Sequence, residues 1–553
     1  MHALTVHQTG ARPWTILMSS GTFRRVSGWS SRCLLLLATM SAPAWASAPE
    51  QAQSWVDRDH FPEAYTILTS DRVMFPDDVS DWPLKIDSTH QLFVDDYLIS
   101  EIEQLTRQFH QPTKHTGNPL MPAGYVAVLY DEDKSRFRMW KGLDYMTSAD
   151  GIHWTQADSG PSGNLLRKEG GELRGFMYNP ELPEAEGRYK AVVERRFNEA
   201  AKEPGGFYLY HSRDGLNWER RPQRPILSRS TNLMKPAEFR PRGIGRPSEF
   251  QYGGADHFQV NGVGDTSTFR YDTVLKRYVF DGKLGLYFTP DKIKELGLGM
   301  DNKPRLRLRT FSESEELIHW SPPRMMMYPD RLDPRDRQIY SHVGFVYESM
   351  WLGIIQAMRV KATGWKQVDL HLSYSRDGRH WLRPQRREAF IPLGNADSWE
   401  ADYSGTSHTA PVRVGEELFF YYFGSRNPER NKDPEGRWPR YLGLAKLRRD
   451  GFASLNAGET PGRVLTRPLT FGGQSLFLNV DVVDGGWIKA AVLSHDSQPV
   501  GGYSLDESIP LTKNTTRGRM AWKSKEQLAP PGDDHLRIQF QLKKAKLYSF
   551  WIE

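Results

Sequence analysis

Cysteine is almost absent from this chain of 553 residues, and its single occurrence is Cys33. Residues 1–46, which include Cys33, also lack aspartate and glutamate but carry four arginines. The arginines are followed by the apolar run 34–38 and by the small-residue site 44–46, Ala-Trp-Ala. This order predicts a secretory signal peptide cleaved near Ala46, and therefore a periplasmic or extracellular protein. The chain after Ala46 has no cysteine, which excludes disulfide bonds and thiol chemistry there.

The sequence also lacks a long apolar run and a strong excess of charge. A membrane-spanning helix needs about 20 apolar residues, and the run inside the signal segment is far shorter. The formal net charge is +6, and the four arginines of residues 1–46 account for most of it, which leaves +2 for the rest. We therefore predict no membrane span and no nucleic-acid partner.

Aromatic residues, glycine and proline are plentiful. The chain has 17 Trp, 23 Tyr, 47 Gly and 36 Pro, a composition that fits an all-β protein with many turns. About 500 residues after the signal segment are too many for one hydrophobic core, so at least two domains are expected.

One turn sequence, Ser-x-Asp-Gly-x-x-Trp, recurs along the chain. Before each copy stand a β-rich run, an acidic or glycine turn and a second aromatic run, which predicts antiparallel hairpins. Four strands in each of five such units predict a five-bladed β-propeller over residues 86–455, with its longest loops at 223–262 and 285–304. The copies are 148–154, 212–218 and 375–381, a degraded copy at 312–320 and a diverged fifth unit at 441–452.

The aspartates of this turn, Asp150, Asp214 and Asp377, are predicted to be structural. An aspartate at this position accepts hydrogen bonds from backbone N–H groups of its own turn, and the glycine supplies a positive φ. The tryptophan then packs between blades. These residues are therefore expected to shape the fold and to take no part in the chemistry.

The pattern of the sequence changes after residue 455. Alternating strands are predicted at 476–482, 487–493, 535–542 and 547–552, which indicates a C-terminal β-sandwich over residues 456–553. We expect this domain to pack on the propeller, a role favoured over sugar binding. Residues 47–85 are predicted to be an irregular N-terminal extension.

These features together resemble the five-bladed propeller glycoside hydrolases of families 32 and 43. Residues 92–99, 110–112 and 114–120 resemble more closely a group of exported bacterial proteins usually labelled family-32-like or sialidase-like. The resemblance implies a glycosidase that acts on a polysaccharide or oligosaccharide. However, the family 32 motifs Trp-x-Asn-Asp-Pro-Asn, Arg-Asp-Pro and Glu-Cys are absent, as is the sialidase Phe-Arg-Ile-Pro. No catalytic residue can therefore be assigned by motif.

Candidate catalytic residues follow from the expected geometry instead. Hydrolysis of a glycosidic bond uses one carboxylic acid and one carboxylate on either side of the bond. In a propeller, acidic residues just before the innermost strands face the axial funnel, although each such residue alone is more often a turn or surface acid. The predicted candidates are Asp265, Asp336, Glu400, Asp402 and one of the pair Asp95 and Asp96, for which Asp96 is chosen, with Asp256 and His257 as further residues of this kind.

Candidate substrate-binding residues come from the same ends of the strands. Tyr340, Trp399 and Tyr403 could stack on a sugar ring. Arg174 and Arg426 could bind the carboxylate or sulfate of an acidic sugar, and His342 and His408 could bind hydroxyl groups or a metal ion. No redox cofactor is required, and a structural Ca²⁺ on the axis is compatible with the sequence. A glycan-binding propeller without catalytic activity is the alternative function.

Overall fold

The computed structural model divides the chain into two units, Met1–Glu50 and Gln51–Glu553. In the first unit, strand β1 (His2–Val6) pairs antiparallel with β2 (Trp14–Met18). The predicted cleavage site and the candidates Asp256 and His257 lie outside the described residues. The described residues are 2–6, 14–18, 83–142, 144–157, 171–183, 186–196, 204–228, 263–287, 305–334, 336–360, 366–426, 439–528 and 535–553.

The second unit is all-β over these residues, as the composition predicts. Its described part contains no α-helix, and hence none of the length and apolar character needed to cross a membrane. Six short strands come first, and they later join sheets formed by distant parts of the chain. They are β3 (Leu84–Lys85), β4 (Gln91–Leu92), β5 (Ile99–Glu103), β6 (Thr106–Phe109), β7 (Thr113–Lys114) and β8 (Met121–Pro122).

Antiparallel strand groups follow one another from residue 126 to residue 375. Group 1 comprises β9 (Val126–Asp131), β10 (Arg136–Lys141), β11 (Asp144–Ser148) and β12 (Thr155–Gln156). Group 2 comprises β13 (Glu172–Tyr178), β14 (Tyr189–Arg195), β15 (Gly206–Ser212), β16 (Glu219–Arg220) and β17 (Leu227–Ser228). Group 3 comprises β18 (Thr268–Asp272), β19 (Arg277–Tyr287), β20 (Arg305–Ser314) and β21 (Arg324–Met327), and group 4 comprises β22 (Arg337–Tyr347), β23 (Met350–Val360) and β24 (Lys366–Ser375).

Group 5 combines strands from two distant parts of the chain. It comprises β25 (Tyr403–Thr406), β26 (Val412–Val414), β27 (Glu417–Ser425) and β28 (Tyr441–Arg448). The early strands β7 and β8 pair with β28 as its outer neighbours. The segment that precedes group 1 thus supplies the edge of group 5.

The first strands of neighbouring groups approach each other closely. Between groups 2 and 3, β13 and β18 make a parallel contact at Gly175 and Phe269. A Cβ atom on Gly175 would lie 2.6 Å from the backbone oxygen of Phe269. Glycine is therefore required at position 175 by the approach of two backbones.

The repeated turns have the predicted structural role. The Oδ1 atom of Asp150 accepts hydrogen bonds from the N–H groups of Ile152 and His153, both at 2.8 Å, and Gly151 has φ +75°. The degraded copy begins two residues later than predicted, because Glu316 accepts from the N–H of His319 as the aspartate does. In that copy Leu317, with φ +73°, replaces the glycine.

The C-terminal strands form a ten-stranded sheet with the early strands β3 to β6. The four strands predicted there form two long ones, β32 (Leu476–Ser494) and β36 (Leu536–Ile552), and the register of their pairing is interrupted between Val482 and Trp487. Gly485, with φ +72°, lies in this interruption. Strands β3 to β6, which lie between residues 84 and 109, therefore belong to this sheet. The remaining strands are β29 (Ala453–Ala457), β30 (Gly462–Thr466), β31 (Leu469–Thr470), β33 (Ser508–Ile509), β34 (Thr515–Arg519) and β35 (Ala521–Trp522).

Candidate active site

Side chains from all five strand groups meet around three tyrosines, which we call the tyrosine cluster. Tyr125 immediately precedes β9, Tyr340 lies in β22, and Tyr403 begins β25. The rings of Tyr340 and Tyr403 are 6.4 Å apart and perpendicular, and Tyr403 hydrogen-bonds Tyr125. Burial, together with the neighbouring tyrosines, raises the pKa of Tyr403 well above its usual value. Tyr403 is therefore neutral, and the cluster is aromatic and hydroxylated.

Two arginines and a glutamate cover one side of the cluster. The guanidinium carbons of Arg174 and Arg440 lie 4.9 and 5.6 Å from the centre of the Tyr125 ring. Both arginines donate to the carboxylate of Glu172, at 2.5 and 3.0 Å, and Arg174 also donates to Glu194 at 2.7 Å. Burial alone would raise the pKa of Glu172, but the two guanidinium groups lower it to about 2. Glu172 is therefore a carboxylate at any pH near neutrality.

The other side of the cluster holds a buried lysine. Lys283 in β19 is fully buried and forms an ion pair with Asp265, whose side chain is 43% exposed. The Lys283 ammonium lies 5.3 Å from the centre of the Tyr340 ring. Arg307 lies 5.8 Å from the same ring and donates to Gln338 at 2.5 Å. Asp265 is thus a partly exposed carboxylate that is paired with a buried cation.

Arg174 and Tyr340 reach the cluster because each is the extra residue of a β-bulge. In β13, Leu173 and Gly175 pair with consecutive residues of β14, so Arg174 has no partner in the ladder. In β22, Ile339 and Ser341 pair with consecutive residues of β23, so Tyr340 is likewise skipped. A bulge changes the direction of a side chain and is common beside active sites.

At the cluster the carboxylates are partly exposed, whereas the cations paired with them are more deeply buried. The side chains of Glu172 and Asp265 are 42% and 43% exposed, whereas those of Arg174 and Lys283 are 5% and 0% exposed. A ligand that approaches from solvent therefore meets the two carboxylates and the partly exposed Tyr340, whereas Tyr125 and Tyr403 are buried. The cations beneath are already paired with these carboxylates.

Four of the residues predicted from sequence thus lie in or beside this cluster: Asp265, Arg174, Tyr340 and Tyr403. The guanidinium of Arg174 is buried and bound to two glutamates, so its partners are protein carboxylates. Asp402 is buried next to Tyr403, and its carbonyl accepts from the N–H of Val368 at 2.9 Å.

The other predicted acids have partners of their own. Both carboxylate oxygens of Asp336 accept a hydrogen bond from Nε of Arg359, at 2.9 and 3.0 Å. Asp96 is exposed and pairs with Arg107 in β6 of the C-terminal sheet. Among the described residues, no hydrogen bond or ion pair joins either aspartate to the tyrosine cluster.

Glu400 and its neighbour Trp399 lie against the strands of group 5. Glu400 is buried and accepts from Lys114 of β7 at 2.7 Å. The Trp399 ring stacks on Tyr422 of β27 at 5.8 Å. Arg426 is largely exposed and pairs with Asp397 at 3.1 Å. These contacts are with the protein's own outer strands and surface.

His342 belongs to a buried chain of hydrogen bonds. Its Nδ1 atom lies 2.5 Å from Asp281 and its Nε2 atom 2.9 Å from Ser373. Burial lowers the pKa of His342, while Asp281 opposes this effect. The arrangement has the order of a serine–histidine–aspartate triad, but all three residues are fully buried. No substrate can reach them, so these three hydrogen-bonded residues have a structural role.

His408 is buried behind the tyrosine cluster. Its ring stacks on Tyr125 at 5.0 Å. Burial, followed by repulsion from Arg174, lowers its pKa to about 3. His408 is therefore neutral and supports the Tyr125 ring.

One group in the described part of the chain has the residue types of a metal site: His90, Glu348 and Asp450, with ligand atoms within 4.8 Å of one another. Protein donors already fill it, since Asp450 accepts from His90 at 2.6 Å and from Tyr347 at 2.8 Å. Arg449 donates to His90 at 2.8 Å and lies 3.4 Å from Glu348. The arginine supplies the positive charge that a metal would bring.

Glu172, Tyr125, Lys283 and Arg440 were not predicted from the sequence. Glu172 obeys the rule that selected Asp265, because it opens the first strand of its group. Lys283 lies in the second strand of group 3, where an isolated lysine carries no signal.

No protein-family model and no curated protein matches the sequence. Among solved structures, the chain aligns with an N-acetylgalactosamine deacetylase from F. plautii in complex with blood group B trisaccharide, at 12% identity over 63% of this chain and 96% of that one, TM-score 0.37. It aligns equally with a thermostable family-43 glycoside hydrolase, at 12% identity over the same shares, TM-score 0.37. A Bombyx mori β-fructofuranosidase of family 32 aligns at 9% identity over 80% of this chain and 94% of that one, TM-score 0.31. Alignments of this quality assign neither a family nor an activity.

Proposed function

We propose that the chain is an exported glycoside hydrolase with its active site at the tyrosine cluster. In this proposal the five strand groups are the blades of a β-propeller, and the C-terminal sheet belongs to a β-sandwich. The observation that carries the proposal is the convergence of all five groups on the tyrosine cluster, with two half-exposed carboxylates, Glu172 and Asp265. A polar aromatic cluster of this kind suits a sugar ring, and glycoside hydrolysis uses two carboxylates.

Each carboxylate is assigned a role that its surroundings support. Glu172 remains ionised, so it stabilises the positive charge that develops at the anomeric carbon as the glycosidic bond breaks. Asp265 transfers the proton that the leaving oxygen must gain and that the attacking water must lose. Tyr340, the partly exposed tyrosine of the cluster, binds the sugar. No redox cofactor takes part, and the partner is a polysaccharide or oligosaccharide.

The decisive experiment compares matched single substitutions. Asp265→Asn and Glu172→Gln remove one charge each and keep the shape of the side chain. Asp96→Asn makes the same chemical change at an exposed site away from the cluster. On a panel of polysaccharides, measured by the release of reducing ends, we expect a loss in kcat of about 100-fold or more for the first two variants. The Asp96→Asn variant should keep wild-type turnover. Full activity in the Asp265→Asn variant would refute the assignment.

A glycan-binding protein without turnover is the second candidate. It is favoured by one observation: both exposed carboxylates are paired with cations, and a general acid must hold a proton. Titration calorimetry that shows glycan binding, with no reducing ends released at any pH from 4 to 8, would support this candidate over the hydrolase.

A further inference from the structure

The carboxylate of Glu172 bridges two guanidinium groups. Its Oε2 atom accepts from Nη2 of Arg174 and its Oε1 atom from Nη1 of Arg440. Both arginines also lie over the ring of Tyr125. Glu172 thus occupies the position in which the carboxylate of a bound acidic sugar would be held.

The two arginines differ in what they would do without this glutamate. Arg174 is buried and keeps a second carboxylate partner, Glu194. Arg440 is 25% exposed, and Glu172 is the carboxylate with which it pairs among the described residues. Loss of the Glu172 charge would therefore leave Arg440 with an unpaired guanidinium facing the cluster.

We propose that Glu172 sets the charge specificity of the tyrosine cluster, because it occupies the carboxylate position against Arg440 and so excludes acidic sugars. The proposal rests on the proposed function only in placing a sugar at this cluster. A sugar carboxylate that approached the wild-type protein would meet Glu172 and Asp265, two exposed negative charges, and like charges at close range disfavour binding. The remaining cations at the cluster do not change this balance. Lys283 is buried beneath Asp265, Arg309 is bound to Asp281, and Arg307 is buried and donates to Gln338.

This assignment reverses the expectation from the sequence that Arg174 recognises an acidic sugar. The arginine is present, but the protein's own glutamates bind Nε and Nη2 of its guanidinium. The site therefore has the two guanidinium groups that could bind an acidic sugar, but Glu172 stands where the carboxylate of that sugar would lie.

Glu172→Gln is the direct test, because it removes the charge and keeps the shape. The probes are glucose, galactose and mannose, each paired with its uronate, titrated by calorimetry with wild type and variant. Wild type should bind none of the uronates more tightly than the neutral partner. The variant should gain about tenfold or more in affinity for at least one uronate, the size expected for a charge-assisted hydrogen bond.

The double variant Glu172→Gln, Arg440→Gln is the matched control and should lose this gain. The proposal is overturned if wild type prefers a uronate, if the single variant gains affinity for none of them, or if the gain survives in the double variant. The wild-type comparison holds even if a variant fails to fold. Binding is measured without turnover. If the protein has no glycosidase activity but Glu172→Gln still gains affinity for a uronate, the proposed hydrolase function is refuted and the role of Glu172 in charge specificity stands.

Discussion

Replacement of Asp281 by asparagine tests whether the buried chain of Asp281, His342 and Ser373 is structural. The carboxylate of Asp281 accepts from Nε of Arg309 at 2.8 Å and lies 2.5 Å from Nδ1 of His342. All four side chains are almost fully buried. Arg309 also donates to the carbonyl oxygen of Tyr340 at 3.1 Å, so it connects this chain to the tyrosine cluster.

The expected cost follows from the charge left behind. An asparagine keeps the volume of the side chain but leaves the Arg309 guanidinium in the core without a counter-charge. Removing one partner of a buried ion pair costs about 3–5 kcal/mol, which is a large share of the 5–15 kcal/mol typical of a folded protein. By contrast, Ser373→Ala removes one neutral hydrogen bond and should cost about 0.5–1.5 kcal/mol.

Urea unfolding followed by tryptophan fluorescence measures both costs, and the same variants can be assayed for turnover. We expect the Asp281→Asn variant to lose the larger amount and the Ser373→Ala variant to keep wild-type activity, since no substrate reaches Ser373. A loss below about 1 kcal/mol for Asp281→Asn would refute the reasoning that Arg309 depends on this charge. Loss of turnover in a folded Ser373→Ala variant would show that the buried chain is catalytic.

Two further predictions concern pH and packing. His408 has a folded pKa of about 3 and an unfolded pKa near 6.5, so the unfolded chain binds an extra proton between these values. The free energy of unfolding should therefore fall as pH drops below about 6.5, by up to about 1.4 kcal/mol per unit from this residue, and a pH series should be flatter for His408→Gln. Gly175→Ala should cost about 1–3 kcal/mol in urea unfolding, because its Cβ would press on Phe269. Gly458→Ala, where nothing lies within 4 Å, is its control and should be near neutral; equal costs for the two would contradict the packing argument.

The local parts of the fold could be predicted from the sequence. Strand periodicity and the Asp-Gly turns are set by neighbouring residues, and the turns have the predicted hydrogen bonds. The degraded copy shows the limit of this approach, since Glu316 and Leu317 carry out the roles of aspartate and glycine without their identities. A search for Asp-Gly therefore placed the start of that copy two residues too early.

The candidate site could be predicted only in part. Acidic residues were selected because they stand just before a predicted inner strand, without regard to partners that are distant in the sequence. This rule selected Asp265, which lies beside the cluster, and Glu400, which pairs with Lys114 across 286 residues of sequence. Nothing local distinguishes the two acids. The difference arises from a strand pairing between β7 and group 5, and such a pairing leaves no trace in the sequence near Glu400.

Another early strand, β5, affects when the protein can fold. Glu103 in β5 binds Arg463 across 360 residues of sequence. A ribosome adds about 5–20 residues per second, so β5 emerges roughly 20 to 70 s before its partner has been made. During that interval the strand has an open edge, which can pair with other chains. A truncation that removed β30 would leave β5 without this partner.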